Sequence, residues 1–93
     1  GPAAADQRFE TFYGLLLDLI PRLVRAKATG RADLPEEGRI AQKLLTPESL
    51  ATWAELWETI VRDKAATLAL NLDRRSLVLQ TGFRMRDTAR IGR

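Results

Sequence analysis

The sequence predicts an all-α fold, a small bundle of four to five helices. Apolar residues recur at the three- and four-residue spacing of a helix face over most of the 93 residues. Every alternating stretch of four or more residues is better explained as part of such a face, and the chain contains no Gly-rich or internal repeat. Hydrophobic residues make up 45% of the chain, which is enough for one compact core. We therefore expect a single helical domain.

The first helix is predicted from Asp6, a suitable N-cap residue, to about Ala28. Pro21 lies inside the pattern and lacks the amide that would bond to the carbonyl of Leu17, so we expect a kink or a break there. Gly30 provides a C-terminal stop. The apolar residues predicted to face inward are Phe9, Phe12, Tyr13, Leu16, Leu19, Ile20, Leu23 and Val24.

The segment that follows is predicted to be a loop with a short helix after it. Residues 31–38 have no apolar period, so we expect a loop or a single turn that exposes Glu36 and Glu37 to solvent. The short helix is predicted at residues 39–45. Its inward-facing residues are predicted to be Ile40, Ala41 and Leu44.

A long third helix is predicted to begin at Thr46-Pro47-Glu48. Thr46 offers a capping hydroxyl, Pro47 suits the first helical position, and Glu48 suits the helix dipole. The helix is expected to lie at the centre of the bundle. Its predicted apolar stripe consists of Leu50, Trp53, Ala54, Trp57, Ile60, Val61, Ala65 and Leu68.

The fourth helix is predicted at residues 74–90, antiparallel to the third helix and joined to it by a short turn. Asn71 suits a left-handed backbone conformation and Asp73 suits the N-cap of the new helix. Leu79 is placed at the edge of the packed face, and Gly82 weakens the helix. The residues predicted to face the core are Leu77, Val78, Phe83, Met85 and Ala89.

The composition excludes most enzyme chemistries. The chain contains no Cys and no His, which removes disulfides, thiol nucleophiles, His-based triads and imidazole metal sites. The sequence contains neither of the Gly-rich phosphate-binding motifs, G-x-x-x-x-G-K-[ST] and G-x-G-x-x-G. The carboxylates of Glu55 and Glu58 are expected on a solvated helix face. We therefore predict no catalytic, metal or cofactor site, no small-molecule substrate and no membrane-spanning segment.

The formal net charge of +3 comes from the end of the chain. After residue 72 there are six arginines and two acidic residues, and arginine binds phosphate and protein carboxylates equally well. One hypothesis is therefore a free-standing basic helical domain that binds nucleic acid or a regulatory protein. Trp53 and Trp57 lie one turn apart among glutamates, which favours a core or a protein contact over base stacking.

Two segments carry a resemblance to a known family. They are Trp53-Ala54-Glu55-Leu56-Trp57-Glu58 and the run Leu70-Asn71-Leu72-Asp73-Arg74-Arg75-Ser76-Leu77-Val78-Leu79. Together they resemble the C-terminal helical domain of the delta-prime subunit of the bacterial DNA polymerase III clamp loader, alphaproteobacterial type. That domain has a W-A-E-x-W helix and an A-L-N-L-D-R-[KR] turn. The resemblance covers residues 6–90, with Gly82 as a departure.

The resemblance implies a scaffold rather than a catalyst. In that family, the C-terminal domains of three gamma or tau subunits, one delta and one delta-prime form a helical collar that holds AAA+ modules together. The partners implied are therefore gamma or tau and delta, in the bacterial cytoplasm at the replisome, without direct nucleic-acid contact. The turn residues Asn71, Leu72, Asp73, Arg74 and Arg75 are implied to fix the angle between two helices.

A collar domain must also offer apolar residues to its neighbours. The predicted interface residues lie off the main stripes or on the basic last helix: Leu15, Leu56, Leu70, Leu79, Arg84 and Arg86. Gly1-Pro2 is what a common viral protease leaves after tag removal, so residues 1–5 are expected to be a tag remnant and a disordered start. Residues 6–93 are expected to be a single domain excised from a larger AAA+ protein.

Overall fold

The computed structural model describes residues 2–92, which fold into four α-helices. A single 3₁₀ turn, Pro47–Ser49, precedes the third helix. No strand occurs among the described residues, so the predicted all-α bundle is confirmed. None of the helices within residues 2–92 combines the length and the apolar character that crossing a bilayer requires. The helices are α1 (Pro2–Thr29), α2 (Pro35–Leu44), α3 (Leu50–Ala69) and α4 (Arg74–Ala89).

Helix α1 begins before the predicted start at Asp6. Residues 2–5, expected to be a tag remnant and a disordered start, belong to its first turns, and the remaining residue of that expectation, Gly1, lies outside the described residues. The reason is local, because three consecutive alanines have the highest helix propensity and Pro2 suits the first helical position. The helix ends where the sequence predicts, with Gly30 at a φ of 75°.

Pro21 does not break α1, which continues through it. The carbonyl of Leu17, which has no amide partner at Pro21, instead accepts a hydrogen bond of 2.8 Å from the indole Nε1 of Trp57 on α3. A tertiary hydrogen bond therefore replaces the missing helical one, so the cost of proline inside the helix is partly offset. Of the predicted kink or break, the break does not occur, because a contact from another helix supports α1 at this point.

Helix α2 begins at Pro35, earlier than predicted. The sequence there holds a proline at the first helical position and two acids in the first turn, which are start signals that the loop interpretation overlooked. Glu37 is only 8% exposed, contrary to the prediction, because its carboxylate oxygens lie 3.1 Å from Nε of Arg22 on α1. Ala41 is buried as predicted, whereas Ile40 is exposed.

The start of α3 also differs from the prediction. The hydroxyl of Ser49 accepts from the Thr46 amide at 2.9 Å, while the Thr46 hydroxyl donates to the Ile91 carbonyl at 3.2 Å. As predicted, Thr46 occupies the N-cap position and Pro47 the first position of the helical segment, but this segment is a 3₁₀ turn and the α-helix begins at Leu50. The Thr46 hydroxyl also ties the segment after α4 to the start of α3. Because the chain returns to this point after α4, the two helices run antiparallel, as the sequence predicts.

Helix α3 is central and packs against both α1 and α4. Contact on two sides widens its buried face, which therefore takes in Leu56 and Thr67 as well as the predicted Trp53 and Ile60. The predicted stripe was placed too far toward Val61 and Leu68, which are exposed. The largest fully buried apolar side chains come from α1, α3 and the segment before α3: Trp53, Tyr13, Ile20, Leu45 and Ile60.

Helix α4 buries less apolar surface than predicted. Leu77 is its only buried apolar side chain among the described residues, and the other buried positions are Thr81 and Thr88. Phe83, predicted to face the core, is 55% exposed. Thr81 faces α1, where its buried hydroxyl forms a hydrogen bond of 2.8 Å with that of Tyr13. Phe83 is two residues further along the helix and therefore lies roughly on the opposite side.

Candidate interaction surface

The turn between α3 and α4 has the geometry that the sequence predicts. Asn71 adopts a positive φ of 52°, and the amide of Leu72 donates to the Thr67 carbonyl at 2.9 Å. Asp73 caps α4, where its carboxylate accepts from the amide of Ser76 at 3.2 Å. Hydrogen bonds from the Ser76 side chain and backbone hold the pKa of Asp73 below its ordinary value.

The two arginines that follow the turn have different surroundings. The guanidinium of Arg74 lies 3.1 Å from the carboxylate of Asp6, measured from Nε, and 5.8 Å above the ring of Phe9. These contacts bring the starts of α1 and α4 side by side. Arg75 is exposed. Leu72, which precedes this pair, is half exposed and points away from the core.

The two tryptophans of the W-A-E-x-W segment both contribute to packing inside the bundle. Trp53 is completely buried at the centre of the bundle, and Trp57 is half-buried and bonds to the Leu17 carbonyl. Beside Trp57 lies a groove of about 340 Å³ between α1 and α3, whose wall includes Pro21 and Val24. The groove is large enough for an apolar side chain, and the exposed Glu58 stands on its wall.

Three of the four predicted interface leucines are exposed. Leu15 is 66% exposed, Leu70 is 68% exposed and Leu79 is 56% exposed. Leu56 is 6% exposed and belongs to the core, so its assignment to the interface is wrong. The reason is the two-sided packing of α3, which turns Leu56 toward α4.

The two predicted interface arginines lie on α4 and both approach carboxylates. Nε of Arg84 is 3.7 Å from Asp63 on α3, and Arg86 is 3.5 Å from the neighbouring Asp87. The guanidinium of Arg86 also stacks 5.1 Å from the ring centre of Phe83. We define the outer stripe of α4 as Arg75, Leu79, Phe83 and Arg86, which helical spacing places on one face.

Sequence reasoning missed several apolar residues of the surface. Phe12 is 40% exposed and Phe83 is 55% exposed, although both were predicted to be core. Arg8, Phe12 and Leu15 follow helical spacing on the outer side of α1, and this spacing is the signal that could have placed Phe12 outside. The other exposed large apolar residues of the described chain are Leu34, Ile40, Val61, Leu68 and Leu72.

Among the described residues, no group of three or more acidic side chains is placed to hold a metal ion. Tyr13 is the buried titratable phenol, and burial raises its pKa above the ordinary value, while the hydrogen bond with Thr81 partly opposes that rise. Its hydroxyl joins α1 to α4 inside the bundle, so its role is structural.

No protein-family model matches the chain, no curated protein matches it, and no solved structure matches it. Its function must therefore be inferred from the surface and from the motifs of its own sequence.

Proposed function

We propose that the chain is a helical assembly domain of the clamp-loader delta-prime type, a scaffold within the complex that loads the sliding clamp for bacterial DNA polymerase III. The observation that carries the proposal is the exposure of Leu79 and Phe83 on the outer stripe of α4, together with Leu15 and Leu70. The core of the domain is filled by other side chains, so these exposed residues add no stability to the isolated domain. Such exposure is typical of surfaces that are covered by partner proteins.

The electrostatics of α4 favour a protein partner over nucleic acid. Three arginines of α4 already lie within ion-pair distance of carboxylates of this chain: Arg74 at Asp6, Arg84 at Asp63 and Arg86 at Asp87. Each pair reduces the positive potential available to phosphates. The basic-domain alternative therefore has less support than the composition alone suggests.

The proposal includes partners and a location but no catalysis in this chain. The partners would be the corresponding domains of gamma or tau and delta, in the bacterial cytoplasm at the replisome. The turn formed by Asn71 and Asp73 would hold α4 at a fixed angle to α3, so that its outer stripe faces a neighbour. ATP hydrolysis would belong to other parts of the assembly.

The test is co-elution with purified gamma and delta subunits of the source organism in size-exclusion chromatography with light scattering. We expect a complex that persists at high salt, because burial of apolar surface depends weakly on ionic strength. Leu79→Arg and Leu70→Arg should abolish the complex while the circular dichroism spectrum stays helical. A chain that remains alone with every subunit would contradict the proposal.

Two controls separate assembly from folding and from nucleic-acid binding. Leu56→Arg should unfold the domain, because it places a charge in the core, whereas Leu15→Arg should not. Retardation of duplex DNA that weakens steeply as salt increases would favour the basic-domain alternative.

A further inference from the structure

A cleft with three arginines lies between the starts of α1 and α4. We call it the arginine cleft; it has a volume of about 260 Å³ and is lined by Arg8, Phe9, Phe12, Arg74, Arg75 and Val78. A second cleft of about 520 Å³ continues along α1 and shares Arg8 and Phe12 with the first before reaching Leu15. The two clefts therefore form one continuous surface with an apolar floor and a cationic edge.

The charge of this surface is one-sided. No acidic residue of the described chain lines either cleft. The nearest carboxylate contact is that of Asp6, which is 3.1 Å from Nε of Arg74. The start of α4 already has a carboxylate, that of the N-cap residue Asp73, which accepts from the Ser76 amide. An anionic ligand would therefore take its charge contacts from the exposed Arg8 and Arg75 of the cleft.

The floor of the arginine cleft is held in place by ring packing. Phe9 is buried, and its ring centre lies 4.8 Å from that of Tyr13. Phe12 packs edge-on against the same Tyr13 ring at 4.9 Å and remains 40% exposed. Arg74 stacks over Phe9. A ligand would therefore meet a surface that is already ordered, which reduces the entropy lost on binding.

We propose that the arginine cleft binds an acidic peptide segment of a partner protein, in which carboxylates flank a large apolar side chain. The cleft is smaller than most small-molecule pockets, about 300–1,000 Å³, and suits one such side chain. The arginines converge on an apolar floor, and Arg74 is already partly neutralised by Asp6, so a peptide fits better than a phosphate backbone. This inference does not depend on the proposed assembly function.

The probe is a panel of short fluorescein-labelled glutamate-rich peptides that carry a phenylalanine and a leucine one helical turn apart. The matched peptides replace both apolar residues by serine, or all glutamates by lysine. We expect saturable binding of the acidic apolar peptides only. Amide chemical shifts of the isotopically labelled protein should change mainly at Arg8, Phe12, Arg75 and Val78.

Protein variants then test the cleft itself. Arg8→Glu combined with Arg75→Glu should weaken binding by roughly tenfold or more, and Phe12→Ala by roughly fivefold. The matched controls are Arg62→Glu, an exposed arginine on α3, and Ile40→Ala, with an exposure similar to that of Phe12. Both controls should bind the peptides normally. Thermal melts of all variants verify that the bundle is intact.

Several outcomes would overturn the inference. These are no saturable binding by any acidic peptide, equal binding of the serine-substituted peptides, or equal loss of affinity in Arg62→Glu. Tighter binding of single-stranded DNA through the same arginines would reassign the cleft to nucleic acid. Leu79→Ser separates this inference from the assembly proposal, because it adds no charge near Arg75 and should weaken assembly while leaving peptide binding unchanged.

Discussion

Helices α3 and α4 are adjacent in sequence and antiparallel in space, yet they are held in different ways. Helix α3 buries Trp53, Leu56 and Ile60, whereas α4 buries Leu77 with two threonines and exposes Phe83. Helix α4 is held by polar contacts, namely the Tyr13–Thr81 hydrogen bond and ion pairs with α1 and α3, in addition to its apolar contacts. Those apolar contacts come from Leu77 and from the half-buried Val78, Met85 and Ala89. Polar contacts set an orientation but contribute little net free energy. Helix α4 is therefore positioned by the bundle while Leu79 and Phe83 on its outer side stay exposed.

The difference between α3 and α4 predicts that the largest loss of stability follows substitution of Trp53. Trp53→Ala should lower the free energy of unfolding by about 3–5 kcal/mol, because it opens a large cavity at the centre of the bundle. A domain of this size has only about 5–15 kcal/mol in total, so the variant should be largely unfolded on warming. Leu79→Ala, on the exposed side of α4, should change the stability by less than about 0.5 kcal/mol.

Urea unfolding followed by circular dichroism measures both variants. A loss of stability in Leu79→Ala comparable to that in Trp53→Ala would show that the outer stripe is part of the core, and the comparison would be wrong.

The contact between α1 and α3 gives the next largest effect. Trp57→Phe leaves the carbonyl of Leu17 without its indole donor and should cost about 1–2 kcal/mol. Pro21→Ala restores the helical amide at this position. Pro21→Ala should therefore stabilise the Trp57→Phe variant more than it stabilises the wild-type chain. A double-mutant cycle of urea unfolding measures this coupling, and strictly additive effects would contradict it.

The contact between α1 and α4 is predicted to be weaker. Tyr13→Phe leaves the buried Thr81 hydroxyl without the phenol and should cost about 1 kcal/mol. Combining it with Thr81→Val should recover part of the loss, because both polar groups are then removed. Failure of the double variant to recover any stability would mean that the hydrogen bond is not what links these helices.

The same tyrosine gives a pH dependence with a definite sign. Burial raises the pKa of Tyr13 above its ordinary value of 10.0, so the folded state binds the phenolic proton more tightly than the unfolded chain. The contribution of Tyr13 to stability should therefore decrease as the pH rises above 10. Thermal melts from pH 8 to 11 should show a smaller alkaline decrease in Tyr13→Phe than in the wild type.

The smallest effect is expected at the cap of α4. Because the pKa of Asp73 is lowered by Ser76, its contribution to stability is present above the ordinary value of 3.8 and is lost as the pH falls through the folded-state pKa. Asp73→Asn keeps an acceptor for the Ser76 amide but cannot titrate. Its melting temperature at neutral pH should fall by roughly 2 °C or less, with a shallower acid decrease.

The sequence predicts backbone conformation correctly where the preference depends on a few neighbouring residues. Asn71, Asp73 and Gly30 have the predicted turn and cap conformations because backbone preferences act within a few residues. The same locality explains an error, since the start signals of α2 at Pro35 were present in the sequence but were interpreted as a loop.

Tertiary contacts account for the remaining differences. Whether Glu37 meets Arg22, whether Trp57 reaches Leu17, and which way Phe83 turns all depend on how helices pack. The interface residues show the consequence, because Leu15 and Leu79 were placed outside correctly while Leu56 was not. Helical spacing defines faces, but it does not define how many neighbours a helix has.

The most direct test of the central claim, that α4 is positioned by the bundle but lacks its covering partner, is native-state hydrogen exchange. Amides in the middle of α4 should exchange faster than those around Trp53 and Ile60 in the free protein, because less apolar burial holds α4. In the proposed complex with gamma and delta subunits, α4 should show the largest gain in protection. Equal protection of α3 and α4 in the free protein, or an unchanged α4 in the complex, would contradict the account.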